Sequence, residues 1–311
     1  MTRINSGRAL LVAALAVVLL CLGAGRGTAA EPQPSVQVLT FNVLAPIWAA
    51  PDWYPADMDM SLLDREFRRA RTQAFLRSVR DQLDVVCLQE VNQAELPYYL
   101  EALGAEFEGT MALNDPALWS SWLVPGIPWE PNGTAIAVRK TRFADRHYED
   151  LPISGDGNHA MVFEGRHRTS GQTVRVQSIH LDSDSTANRV EELRALLLRY
   201  PSTPGVVDVV CGDLNEDTIT GSAAGLLRRD GYVDVLASVG NREPTHPWSA
   251  SYYSSMRWAV IDHVLVRNGR PVSGDVLDFG LWAIADETDR IEANLRLTGS
   301  DHFPVVSALG W

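Results

Sequence analysis

VVDVVCGDLN, residues 206–215, is an apolar run that stops at an acid and carries an amide two positions later. Four valines and a cysteine around a single aspartate mark a buried central strand. Residues i and i+2 of a strand share a face, so Asp213 and Asn215 are expected to leave the strand end as a pair aimed at one spot. The question is what else the chain brings to that spot.

Several other apolar runs end the same way. SVQVLTFN reads as a strand closing on Asn42, DVVCLQEV (84–91) reaches Glu90, VRVQSIHL (174–181) reaches His180, and WAVIDHVLV (258–266) contains Asp262. SDHFPVVSAL contributes Asp301 and His302 at the head of a last strand. Singly, an acid at a strand end is a turn former or helix cap. Together they are a set of acids, amides and imidazoles from at least five segments. Buried carboxylates are costly unless paired or bound to a cation. An oxygen-rich set of this kind suits Mg²⁺, which keeps several waters and takes one or two carboxylates.

Between these strands the sequence predicts helices. One begins at Ser61 with Asp64 in capping-box position, carrying Leu76 and Val79 inward with Arg68, Arg69, Arg71 and Arg80 on the wet face. Others span Thr186 to Tyr200 and Ala223 to Arg229, and residues 110–133 read as irregular. Strands outnumber helices, so the expected fold is α/β: a two-sheet β-sandwich core flanked by helices on both sides, four layers α/β/β/α.

The chain has 311 residues and a formal charge of −12. Residues 1–30 have the layout of a secretory signal peptide: Arg3 and Arg8, an apolar stretch, then Thr28-Ala29-Ala30 before Glu31. An uncleaved N-terminal anchor is the other reading, since the stretch is almost long enough to span a bilayer. Cleavage and a secreted protein, extracellular or periplasmic, are expected. Cleavage removes three arginines and no acids, making the remainder more acidic still. That balance weighs against sequence-blind grip on duplex DNA, which relies on clustered Lys and Arg. Residues 31–311 contain no linker or repeat and are expected to form one domain.

Of three cysteines, Cys21 lies in the leader. Cys87 is three residues before Glu90, and Cys211 two before Asp213. If both acids face one site, alternation puts the sulfurs on opposite sheet faces, favouring buried free thiols over a disulfide.

The segments TFNVLA, CLQEV, SIHLDS, GDLNEDT, IDHVLV and SDHFPV resemble, in order, the motifs of the endonuclease/exonuclease/phosphatase family of metal-dependent phosphoesterases. The resemblance runs from about residue 36 to 308. It implies Glu90 as the main Mg²⁺ ligand (Mn²⁺ being the alternative ion), with Asn42 and Asp301 close to the metal. It implies Asp213 orienting or deprotonating the attacking water, Asn215 fixing the phosphate, His180 facing the phosphoryl oxygens with Asp262 as its partner, and His302 as acid or base. Base and acid stay open between Asp213 and His302.

Substrate is less determined. TFNVLAPIWA and NGTAIAVRKTRF look most like the deadenylase and nocturnin branch, implying a nucleic acid or nucleotide. A sphingomyelinase or inositol-phosphate phosphatase acting on a phospholipid headgroup or sugar phosphate is the alternative, as is a non-catalytic binding or toxin subunit on the same fold. Trp119, Trp122 and Trp129 are placed to stack on bases, enter lipid or cap the core, and Trp258 is expected at the cleft rim. Asn132-Gly133-Thr134 matches a glycosylation sequon. No obligate protein partner is implied, and a monomer is expected.

Overall fold

The computed structural model describes residues 35–115, 130–155, 157–246 and 260–311. The leader and Trp119, Trp122, Trp129 and Trp258 lie outside the described residues. Among the described residues, twelve strands form two six-stranded sheets. The first contains β1 (Ser35–Asn42), β2 (Val85–Asn92), β3 (Phe107–Leu113), β4 (Asn132–Arg139), β11 (Arg270–Val276) and β12 (Val305–Gly310), ordered β11-β12-β1-β2-β4-β3. The second contains β5 (Phe143–Pro152), β6 (His159–His167), β7 (Thr173–His180), β8 (Val206–Asp213), β9 (Val233–Asp234) and β10 (Asp262–Arg267), ordered β5-β6-β7-β8-β10-β9.

Alternation along each strand builds the layers. Val36, Val38, Val85, Cys87, Val174, Val176, Val207, Val209, Cys211, Val264 and Val266 share one cluster between the sheets. Their odd-phase neighbours face outward. Leu39, Phe41, Val86 and Leu88 meet Phe75, Leu76 and Val79 of α1 (Arg65–Val79) and Tyr99 and Leu103 of α2 (Leu96–Leu103). Ile179, Val210 and Leu265 meet Leu193 and Leu196 of α3 (Thr186–Arg199) and Leu227 of α4 (Ala224–Arg229). Central strands buried on both faces read as unbroken apolar runs, which is why the sequence showed them clearly. A short helix α5 (Val235–Ser238) and α6 (Glu287–Thr298) complete the described set. This is the four-layer α/β/β/α sandwich.

Four expectations need correction. The first helix starts at Arg65, and Asp64 is its cap, accepting from Phe67 N, while Ser61 belongs to a preceding 3₁₀ turn. Arg68 is buried on that helix and donates to the carbonyls of Leu44 and Leu63. Of the stretch read as irregular, residues 110–113 belong to β3 and 132–133 to β4, and 116–129 lie outside the described residues. Asn132 of the sequon is buried in β4, out of reach of a glycan.

The cysteines are joined, not free: Cys87 and Cys211 form a disulfide with their Cα atoms 6.4 Å apart. Alternation failed because β2 carries a bulge. Its register against β4 steps from Leu88↔Ala135 to Val91↔Gly133, three residues against two. The extra residue shifts the phase between Cys87 and Glu90. Both sulfurs therefore face the sandwich interior, one from each sheet.

Candidate active site

The interior faces change character along their length. Towards one end, the valines of β1, β2 and β7 give way to Thr40, Gln89 and Ser178, linked side chain to side chain: Thr40 Oγ1 donates to Gln89 Oε1 and Gln89 Nε2 to Ser178 Oγ. One step further come Asn42, Glu90, His180, Asp213 and Asp262. Gln89 and Glu90 can both turn inward because of the β2 bulge, and Glu90 sits at φ 58. That is the left-handed region, unusual for a residue other than glycine and a place where strain is held by its surroundings.

Close approach of β7 and β8 sets the spacing. A Cβ at Gly212 would lie 1.9 Å from the Ile179 carbonyl oxygen, so only glycine lets the strands meet there. The next pair in register is His180 with Asp213.

Asp213 Oδ2 is the hub. Asn42 Nδ2 donates to it at 3.1 Å, while His180 Nε2 lies 3.7 Å and His302 Nε2 3.8 Å away. The same Asn42 nitrogen donates to Glu90 Oε1 at 2.8 Å, and Ala45 N donates to Glu90 Oε2 at 2.8 Å. Asn42 Oδ1 accepts from Leu44 N, so each of its polar side-chain atoms is engaged within the protein. Burial raises the Glu90 pKa above the ordinary carboxylate value, with His180 and Asn42 pulling the other way.

Asp213 and Asn215 come together by a turn rather than by strand alternation. The strand ends at Asp213, Asn215 lies at φ 49, and its backbone N–H donates to Asp213 Oδ1 at 2.8 Å. Asn215 Nδ2 donates to the Leu181 carbonyl, tying this turn to the residue after His180.

The partner of Asp262 also needs correction. Its Oδ2 lies 2.9 Å from Nδ1 of His302, not on His180. Thr245 Oγ1 accepts from the backbone N–H of Ile261 and Asp262, and Asn294 Nδ2 donates to the carbonyls of Ser300 and His302. Those bonds bring the turn bearing His302 over β10. Burial alone would lower the His302 pKa, but Asp262, then Asp213 and Asp301, lift it well above the usual imidazole value.

Two residues absent from the sequence reading complete the cluster. Tyr54 donates its hydroxyl to Asp301 Oδ2 at 3.1 Å, and His246 Nε2 lies 3.9 Å from the same oxygen. The His246 and His302 rings meet edge to face, 4.8 Å between centroids. Burial works to raise the Asp301 pKa, but His246, His302 and Tyr54 outweigh it and hold the carboxyl well below its usual range. Neither Tyr54 nor His246 ends an apolar strand, the one signal that exposed the others.

The Endonuclease/Exonuclease/phosphatase family model matches residues 39–302, and the chain belongs to that family. Solved structures of similar fold include a family protein from Bacteroides vulgatus (17% identity, TM-score 0.63, 89% of this chain and 99% of that one). D. rerio TDP2 complexed with single-strand DNA product follows at 18% identity and TM-score 0.58, covering 89% and 99%. The human Nocturnin catalytic domain with bound sulfate anion gives 17% and 0.59, covering 90% and 95%. A search among curated proteins finds no match.

Proposed function

We propose that this chain is a secreted Mg²⁺-dependent phosphoesterase that hydrolyses a phosphodiester or phosphomonoester of a nucleic acid or nucleotide by in-line attack of water. The observation that carries the reading is the convergence of Asn42, His180 and His302 on Asp213 Oδ2, with Glu90 joined to that oxygen through Asn42.

The residues fit a hard divalent cation. Asp301 Oδ1 and Asp262 Oδ1 are buried oxygens with no hydrogen-bond partner among the described residues. A buried carboxylate oxygen without a partner needs a cation or a proton. Glu90 and Asp301 would hold the ion, with Asn42 fixing the Glu90 carboxylate rather than ligating. When bound, Mg²⁺ supplies Lewis-acid neutralisation of the phosphoryl oxygens.

The side chains divide the remaining work. Asp213 accepts a proton from the attacking water, which the turn to Asn215 helps to position. His180 stands beside Glu90 and Asp213 with its Nε2 free to donate to a phosphoryl oxygen. His302, charged through Asp262, presents Nε2 as the proton donor to the leaving oxygen. On this reading His302 is the acid and Asp213 the base.

Export is supported by the leader-like residues 1–30 and by the Cys87–Cys211 disulfide, since structural disulfides persist in oxidising compartments. Among the described residues no helix is long and apolar enough to cross a membrane. A nucleic acid or nucleotide is favoured by the TFNVLA and NGTAIAVRK segments and by likeness to a protein solved with a DNA product.

The test is a substrate panel: RNA, DNA, dinucleotides, sphingomyelin and inositol phosphates with Mg²⁺, using wild type and Glu90→Gln. Turnover of the nucleic-acid or nucleotide members, reduced at least about a hundredfold by Glu90→Gln, is expected. Hydrolysis of sphingomyelin alone overturns the substrate class, and no loss in Glu90→Gln overturns the site.

A further inference from the structure

His246, like Tyr54, is left without a task by the reaction scheme, and its position is fixed rather than incidental. Its neighbour Thr245 is locked at both ends. The Thr245 hydroxyl accepts from Ile261 and Asp262, and its carbonyl accepts from Phe303 N at 2.7 Å. The first bonds hold it to the strand of Asp262, the last to the residue after His302. His246 is thereby held against Asp301 and His302.

One ligand atom each from His246, Asp301 and His302 lies within 4.8 Å of the others. Two features make this more than proximity. Asp301 is 7% exposed, and its Oδ1 is buried with no hydrogen-bond partner among the described residues. His302 has its Nδ1 occupied by Asp262, which leaves Nε2 as the available nitrogen. A carboxylate behind the far nitrogen is the usual support of a metal-bound histidine. The neighbouring triplet Asp213, Asp262 and His302 differs in donor type, offering two carboxylates and one imidazole.

Donor type separates this triplet from the centre at Glu90. Two imidazoles and one carboxylate suit a borderline transition ion, whereas Mg²⁺ prefers oxygen. We propose that His246, Asp301 and His302 form a second cation site, sharing the Asp301 carboxylate with the ion at Glu90, that takes Zn²⁺ or a similar divalent transition ion. An ion there displaces the Nε2 proton of His302 to solvent and takes the lone pair it leaves, so His302 can no longer donate that proton. On the phosphoesterase reading given above, occupancy therefore switches turnover off.

The binding arm of the test does not depend on activity. Zn²⁺ is titrated calorimetrically into wild type, His246→Gln and Glu90→Gln, each in excess Mg²⁺. Wild type and Glu90→Gln should bind one equivalent with similar affinity, and His246→Gln should bind at least about tenfold more weakly. Pulsed EPR of Cu²⁺-loaded protein should count two imidazoles in wild type and one in His246→Gln, a readout insensitive to overall stability. Equal affinity or equal imidazole count in His246→Gln overturns the site, as does a loss in Glu90→Gln matching that in His246→Gln. The inhibition arm follows hydrolysis of whichever panel substrate is turned over. Zn²⁺ should suppress wild type at concentrations that spare His246→Gln, and equal suppression of both overturns the switch. If no substrate is turned over, the phosphoesterase reading and the switch resting on it fail together, while the binding arm still decides the site.

Discussion

The side-chain nitrogen of Asn42 donates to both Glu90 and Asp213, at 2.8 and 3.1 Å, and so joins an acid of one sheet to an acid of the other. Without that donor two buried carboxylates face each other across the sandwich with His180 Nε2, 3.9 and 3.7 Å away, left near both. Asn42→Ala should fold, since Ser300 Oγ donates to the Asn42 backbone carbonyl rather than to its side chain. Its kcat/KM with Mg²⁺ should fall by roughly a hundredfold, as for loss of one preorganised electrostatic group. Steady-state kinetics beside a circular dichroism melt checks both halves.

The Asp262–His302 pair fixes the direction of a pH effect. Asp262 helps to lift the His302 pKa above its ordinary value, so the proton donor stays charged through neutral pH. Activity should decline as pH rises through that raised value. Asp262→Asn removes the main lifting charge, leaves burial unopposed, and should move the basic limb of the kcat/KM profile down by roughly one pH unit or more. An unmoved basic limb would assign the proton donor to another group.

Cys87 and Cys211 close a loop of sequence separation 124 across the middle of the core. In the chain-entropy view so long a loop gives a stabilisation of about 2–5 kcal/mol. The oxidised protein, unfolded in guanidinium, should show no reactive thiol from this pair. A Cys87→Ala, Cys211→Ala double variant should lose stability by about that amount in denaturant titration while keeping the wild-type requirement for Glu90.

Legibility followed burial. Strands covered on both faces, such as Val206–Asp213, announce themselves by composition, and the acids closing them stand out against it. β5, whose residues alternate between half-buried and exposed, carries Asp145, Arg146, His147 and Glu149 and gave no such signal. The β2 bulge was invisible because it changes phase without changing composition, and it misled the reading of the cysteines. The family resemblance paired Asp262 with His180, whereas its partner here is set by the approach of the 300–302 turn, which no local pattern encodes. Tyr54 and His246 lie in connecting segments, where side-chain direction is set by distant hydrogen bonds.

His263, next to Asp262 but on the outer face of β10, offers the last prediction. Its Nδ1 lies 2.7 Å from Asp234 Oδ2, and its Nε2 faces the carbonyls of Val260 at 2.8 Å and Glu216 at 3.2 Å. Both nitrogens thus meet acceptors only, which a doubly protonated ring alone satisfies. Burial pulls its pKa down, but Asp234 and the other acceptors outweigh that and raise it above 6.5. Burial likewise works against Asp234, yet His263 and Thr218 bring its pKa below 3.8. A raised imidazole stabilises fully below its unfolded value and loses that contribution as pH climbs through the folded one. A lowered carboxylate stabilises above its unfolded value and loses its contribution in acid. The pair is therefore worth most between about pH 4.5 and 6.5. His263→Gln should cost about 3 kcal/mol near pH 5.5, as expected for breaking a buried ion pair. The deficit should shrink as pH rises past the folded pKa of His263, and urea unfolding of both proteins across that range would reveal it. A pH-independent deficit would mean that packing, rather than the charge on His263, is what holds the loop after Asn215 in place.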